Sequence, residues 1–175
     1  IEKQVAAEQM AHELRMPMVR LIEGSGGGGS IKSLESLGYT YVPYLPGFEH
    51  MVRNLSTVPV VSLGLGPIAG FGAAKVVQSH YSMLVRGQSQ MFVAGPPVLA
   101  AAGQTLTKEE LGSSRIHATN GAVDDEVESE HEALERARRF LGYLPSSIHE
   151  LPPRLASGDD PARREEFLLS AVPRD

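Results

Sequence analysis

The chain has 175 residues, among them 18 Gly, 12 Pro and no Cys, with a formal net charge of −5. The absence of Cys excludes a disulfide scaffold and a thiolate-bound metal. The 42% hydrophobic content excludes a disordered polymer, and no apolar run reaches the roughly 20 residues of a membrane-spanning helix. The length suits one domain of the usual ~100–200 residues. The first residue is Ile and no signal peptide is visible, so the numbering is expected to start inside a longer polypeptide.

In chain order, residues 2–15 read as an amphipathic helix with Val5, Ala6, Met10 and Leu14 near one face, stopped by Pro17. Met18–Ile22 is a short apolar strand that runs into a glycine loop. Glu49–Ser56 suits a short helix. Val58–Leu65 is a continuously apolar strand, the pattern of a strand covered on both faces, and Gly66-Pro67 is expected to turn it into a small-residue helix ending near Gln78. Tyr81–Val85 and Gln90–Val93 are further strands, and Gly95-Pro96-Pro97 opens another helix. Thr107-Lys-Glu-Glu110 is a capping box that starts a short helix. Val127–Leu141 has the clearest helical spacing. Residues 146–160 read as a linker, and Pro161–Ala171 as a last short helix. Strands alternating with helices predict an α/β domain with a mostly parallel or mixed sheet.

Charge is unevenly spread: no Asp or Glu occurs between His50 and Lys108, while Arg53, Lys75, Arg86 and Lys108 all fall there. Such a stretch is either the buried middle of a sheet or a surface that tolerates an anionic ligand. Four cations in apolar surroundings, with 6% aromatics, do not make a nucleic-acid surface. The six His show no metal-ligand spacing, so no metal site is expected. His117 fits either a hydrogen-bonding loop histidine or a general base. No Gly-x-Ser-x-Gly elbow is present to anchor a hydrolase triad.

The glycine motifs carry most of the chemistry. Gly24-Ser-Gly-Gly-Gly-Gly-Ser30 fits either a flexible linker or a strand-to-loop turn with exposed backbone amides. As a phosphate loop it fails, because Ile31 stands where the template ending in Lys32-Ser33 needs Gly. Gly64-Leu-Gly66-Pro-Ile-Ala69 fits a dinucleotide fingerprint, yet no acid follows before Glu109 to bind a ribose. The third candidate is Ala69-Gly70-Phe71-Gly72, where a strand passes into a helix. Two first-turn amides aimed at one point form an oxyanion hole, and small residues there also serve close helix–strand packing.

Several blocks taken in order resemble the N-terminal domain of the carboxyltransferase subunit of biotin-dependent acyl-CoA carboxylases. They are Arg20-Leu-Ile-Glu-Gly-Ser-Gly-Gly, Gly66-Pro-Ile-Ala-Gly70, Met91-Phe-Val-Ala-Gly95-Pro96, Glu109-Glu-Leu-Gly112 with His117 and Gly121-Ala-Val-Asp124, Phe140-Leu-Gly-Tyr-Leu-Pro145, and the segment from Leu168 to Asp175. The resemblance implies a crotonase-like fold, a β-β-α superhelix, here an incomplete single domain: residues 1–145 as the carboxyltransferase N-terminal domain and 146–175 as a linker and short helix toward a C-terminal domain. It implies carboxyl transfer from carboxybiotin to the α-carbon of an acyl-CoA. Gly70 and Phe71 would be the oxyanion amides. Ser25, Gly26, Gly27, Gly28 and Gly29, now a native loop, would line the CoA groove, with Ala69 and Gly72 beside the amides. Gly95, Pro96 and Pro97 would shape the acyl pocket. The partners implied are a biotin carboxyl carrier or biotin carboxylase subunit and further copies of the chain, in a dimer-shared site within a hexamer, in bacterial cytoplasm or the mitochondrial matrix. The family commonly has Ala-Gly-Gly where Ala69-Gly70-Phe71 stands, and Ala-Arg where Gly28-Gly29 stand. These departures leave the acyl group open, a long or branched one included. The alternatives are a biotin-linked acyl-CoA decarboxylase subunit and a CoA-binding fragment inactive without its other half.

Overall fold

The computed structural model describes residues 2–25, 35–38 and 48–172. Its elements run α1 (Glu2–Leu14), β1 (Met18–Ser25), α2 (Phe48–Asn54), β2 (Val60–Ala69), α3 (Phe71–Val77), β3 (Tyr81–Val85), β4 (Gln90–Phe92), α4 (Pro96–Ala101), α5 (Lys108–Gly112), α6 (Ser114–Thr119), β5 (Asp125–Val127) and α7 (Glu130–Gly142). The sheet is wholly parallel, in the order β1-β2-β3-β5, with β4 paired to β2 beyond the end of β3. This is the α/β class expected, with no antiparallel strand among the five.

Strand β2 is the centre of the molecule. Val61 and Leu63 pack with Met83, Val85, Val127, Ala133 and Ala137 under α7. On the opposite face Ile68 packs with Ile22, Ala73, Val76, Leu84, Met91 and Val123 under α3 and the end of α6. Both faces of β2 are therefore covered, fully from Val60 to Gly64 and in part beyond, which is why its sequence is continuously apolar. The turn expected at Gly66-Pro67 is instead part of the strand. Pro67 cannot donate to a ladder, and the register with β1 slips here, from Ile22 opposite Gly64 to Gly24 opposite Ile68. The irregularity absorbs a residue that an unbroken central strand would reject.

Helix α1 turns a different face inward from the one its apolar spacing predicts. Met10 and Leu14 are exposed, and Glu8 and Ala11 are buried. The reason is an ion pair: Arg20 Nε donates to Glu8 Oε1 at 2.7 Å, and both side chains are more than nine-tenths buried. Asn54 Nδ2 donates to Glu8 Oε2 at 2.9 Å, and Arg20 Nη1 donates to the Gln78 carbonyl at 2.7 Å. One carboxylate thus ties α1, β1 and α2 together, and its partner reaches the end of α3.

The helix expected from Val127 begins later. Asp125–Val127 is strand β5, and Ser129 caps α7 by accepting from the Glu132 amide at 3.2 Å. The capping box at Thr107 is formed as expected: Thr107 Oγ1 accepts from the Glu110 amide and Glu110 Oε2 from the Thr107 amide. Helix α7 is docked by Tyr81, which stacks on Phe140 with centroids 5.0 Å apart and donates to Asp125, and by Arg136, which pairs with Asp125 and Glu132. Between 146 and 172 no residue is buried, and the helix expected at Pro161–Ala171 is a single 3₁₀ turn, Glu166–Leu169.

Two measurements follow from these contacts. Arg20→Met leaves the Glu8 carboxylate buried without its cation, so urea unfolding should show a loss of about 3–5 kcal/mol; a loss below ~1 kcal/mol would show that the pair does not hold α1. Burial, then the bond to Asp125, pushes the Tyr81 phenol up to about 12. Because the folded state holds this proton more tightly than the unfolded chain, the associated stability is intact below pH ~10 and is lost as pH rises toward 12. Ultraviolet phenolate titration should show a late-titrating tyrosine that Tyr81→Phe removes.

Candidate functional site

The C-terminal ends of three strands meet at one place. Ser25 of β1 lies opposite Ala69 of β2, and Ala69 lies opposite Phe92 of β4. Gly70 then turns the chain into α3 with φ 63° and ψ −124°, a left-handed φ that a side chain would strain. Helix α3 sits tightly on this edge: a Cβ added to Gly72 would come within 2.9 Å of Ile68 Cγ2 and 3.4 Å of the Gly24 carbonyl oxygen.

The two amides expected as oxyanion donors, those of Gly70 and Phe71, differ in their surroundings. The Gly70 amide donates to the Phe92 carbonyl at 3.1 Å, continuing the ladder between β2 and β4, so it is already engaged. The Gly70 carbonyl accepts from the Ala74 amide at 3.3 Å and opens the helical ladder. The amides of Phe71 and Gly72 belong to the first helical turn, which has no internal acceptors and carries the positive end of the helix dipole. Among the described residues the Phe71 and Gly72 amides have no acceptor, whereas the Gly70 amide has one.

The Phe71 side chain is tilted against Phe48 of α2, with ring centroids 5.6 Å apart. Lys75, one turn along α3, places its ammonium 5.2 Å from the Phe71 centroid and donates to Gln4 Oε1 at 3.3 Å. Burial lowers the Lys75 pKa, with nearby Glu8 opposing and Arg20 adding to the effect. Gly95 is the N-cap of α4, with Pro96 and Pro97 in its first turn, three residues past Phe92. Ala69, Gly70, Phe71, Gly72 and the backbone of Ser25 are thus assembled at one edge, with Gly95–Pro97 following directly from it. Gly26, Gly27, Gly28 and Gly29 lie outside the described residues. The dinucleotide reading of Gly64–Ala69 fails, because those residues form strand β2 and not a phosphate-facing turn.

The block Glu109–Gly112 with His117 has a structural task. A Cβ on Gly112 would lie 2.1 Å from the Met91 carbonyl oxygen, and His117 Nε2 donates to the same oxygen at 2.6 Å. Gln90 Nε2 donates to Glu109, and Gln90 bridges to Ser113. Helices α5 and α6 thereby close the outer edge of β4, and with it the position of Phe92 beside Gly70. His117 is a hydrogen-bonding residue of this clip. Among the described residues no group of three or more His, Asp or Glu could hold a metal, and no helix is long and apolar enough to cross a membrane.

Helix α6 and strand β5 were not legible in the sequence, nor was the ion pair of Glu8 with Arg20. The only available signal for α6 was Ser113 ahead of Ser114–Thr119, a residue type that favours an N-cap.

Comparison with known proteins agrees with this architecture. The β subunit of P. aeruginosa geranyl-CoA carboxylase matches 87% of the chain with a TM-score of 0.67 and 29% identity, over 28% of its own length. Transcarboxylase 12S matches 99% of the chain with a TM-score of 0.69 at 24% identity, a likeness of fold. The fold is the crotonase-like fold of carboxyltransferase domains. In sequence, the α subunit of methylmalonyl-CoA decarboxylase from Veillonella parvula is 30% identical over 98% of the chain, and the carboxyltransferase subunit of propionyl-CoA carboxylase from Haloferax mediterranei is 32% identical over 98%. The chain spans about a third of the length of each of these two, 33% in both. The sequence profile described as the Carboxyl transferase domain matches residues 1–175. With the parallel crotonase-like sheet and a profile match over its whole length, the chain belongs to the carboxyl transferase domain family.

Proposed function

We propose that this chain is the acyl-CoA-binding part of a biotin-dependent carboxyltransferase, moving a carboxyl group from carboxybiotin to the α-carbon of an acyl-CoA. The match of the carboxyl transferase profile to residues 1–175 carries this reading. The relatives named as propionyl-CoA and methylcrotonoyl-CoA carboxylase subunits support it. In this reaction the α-carbon loses a proton and gains a bond to the carboxyl carbon, whose bond to the biotin nitrogen breaks. The thioester oxygen carries the charge as this happens.

The amides of Phe71 and Gly72 take the role of donors to that oxygen, in place of Gly70 and Phe71. Fixed donors aimed at a developing oxyanion are effective because they need no reorganisation during the reaction. Ser25 and the following glycines line the CoA groove, and Gly95–Pro97 border the acyl pocket. Carboxybiotin is a second substrate, delivered by a biotin carboxyl carrier: it supplies the carboxyl group, and its urea nitrogen takes up the α-proton. These two amides are given to the thioester oxygen, and the urea carbonyl is given to another part of the assembled site. A dimer-shared site within a hexamer, in the cytoplasm or mitochondrial matrix, accords with that assignment. Residues 1–145 serve as the catalytic domain and 146–175 as the connection onward, consistent with the absence of buried residues from 146 to 172.

A second reading has a specific support. The name of the Veillonella parvula relative places a decarboxylase subunit at 30% identity, so the transfer could run from a carboxylated acyl-CoA to biotin. Assaying the full-length polypeptide in both directions with ¹⁴C-labelled carboxyl donors separates the two.

Position 71 offers a test of the donors. Proline is tolerated at the first residue of a helix, so Phe71→Pro deletes the amide hydrogen while preserving α3. Relative to Phe71→Ala, which keeps that amide, Phe71→Pro should lower kcat by about 10²–10³-fold. Equal kcat for the two variants, with circular dichroism showing both folded, would remove Phe71 from the donor set.

A further inference from the structure

A cavity of about 350 Å³ opens at the start of strands β3 and β5, lined by Tyr81, Asp125, Arg136, Arg139, Phe140 and Tyr143. Tyr81 and Asp125 are the first residues of their strands, and the sheet is parallel. The cavity therefore lies at the opposite end of the sheet from the junction at Ala69–Gly72, where β2 ends. Its volume falls in the range of small-molecule sites, roughly 300–1,000 Å³.

Most polar groups of the cavity satisfy one another. The Tyr81 hydroxyl donates to Asp125, and Arg136 pairs with Asp125 at 3.0 Å. The Tyr81 phenol, pushed up to about 12 by burial and by that bond, carries no charge at neutral pH. Glu132, which also holds Arg136, does not line the cavity. Of the three charged residues that do, Asp125 and Arg136 neutralise each other and Arg139 is left. Arg139 is exposed and has no ion-pair partner among the described residues.

The apolar part is aromatic. Tyr81 and Phe140 stack with centroids 5.0 Å apart and planes 24° from parallel. Tyr143 is 68% exposed and has no ring partner among the described residues. An unpaired guanidinium and an unstacked ring thus share one cavity with a ring pair that is already fixed. A guanidinium takes a carboxylate or phosphate through two parallel N–H bonds, and aromatic faces take planar rings. A cationic ligand would meet the uncompensated Arg139 instead.

We propose that this cavity binds a small anion carrying a planar ring, with the ring laid against Tyr143 and the Tyr81–Phe140 pair and the carboxylate or phosphate held by Arg139. The site is separate from the strand ends assigned to the thioester and does not depend on the carboxyltransferase reading.

The test titrates the full-length polypeptide by calorimetry with 1-naphthoate and with adenosine 5′-monophosphate, which separate a carboxylate ligand from a phosphate one. Coenzyme A is present in excess to fill any groove for it. The uncharged counterparts, 1-naphthamide and adenosine, are titrated alongside. At least one of the two anions should bind with Kd below about 1 mM, and its counterpart about tenfold more weakly. Arg139→Gln should weaken that anion about tenfold, the worth of one charge-assisted pair. Tyr143→Ala should weaken it about tenfold through lost stacking, and Tyr143→Phe should keep it within about twofold. Both positions are exposed, so circular dichroism should show every variant folded. Binding unchanged in either Arg139→Gln or Tyr143→Ala would place the ligand elsewhere and overturn the site. Equal binding of the uncharged counterpart, or no binding of either anion below about 1 mM, would overturn it as well.

Discussion

Strand β2 is buried or half-buried along its whole length. Its edges pair with β1 on one side and with β3 and then β4 on the other, and its faces are covered by α7 and α3. A backbone so enclosed must satisfy most of its amides and carbonyls from neighbouring chain, because little water reaches it. The places where β2 cannot continue regularly are therefore the places where the fold becomes chemically useful. Pro67 interrupts the ladder with β1. Gly70 ends the strand with a left-handed φ and spends its amide on Phe92. The next amides, in the first turn of the helix, have no partner from the helix.

The surrounding elements act on that junction. Helices α5 and α6 press on β4 through Gly112, His117 and Gln90, which positions the Phe92 carbonyl that engages Gly70. The Glu8–Arg20–Asn54 cluster holds α1 and α2 against the sheet, which places Phe48 against Phe71. Residues far from the strand ends in sequence thus decide that the Gly70 amide is engaged and that Phe48 meets Phe71. The carboxyl transfer chemistry proposed here suits such a scaffold, since it asks the chain for fixed dipoles and shape and not for a side-chain acid or base.

Much of the fold was legible because parallel sheets impose a strong pattern. The continuous apolar run of β2 and the limits of β3 follow from burial on both faces, and the helix at Thr107 from a capping box whose partners are local. The readings that changed depended on distant partners. The face of α1 is set by a glutamate that becomes favourable inside only when Arg20 and Asn54 meet it. Strand β5, Asp125-Glu-Val127, is acid-rich and three residues long, and is a strand only because β3 offers it a ladder. Gly66-Pro67 has the composition of a turn, yet the slip against β1 keeps it in the strand.

By itself the sequence determined the class of the domain and, through its ordered blocks, the family, because each of these depends on residue type and local order. Tertiary structure alone decided that the Gly70 amide is taken by the Phe92 carbonyl and that His117 serves a carbonyl. It also decided that Phe71 stands against Phe48 and Lys75. Those outcomes turn on which acceptor or ring arrives from elsewhere in the chain, and a hydrogen bond such as that from Gly70 to Phe92 exists only once β4 has been brought alongside β2.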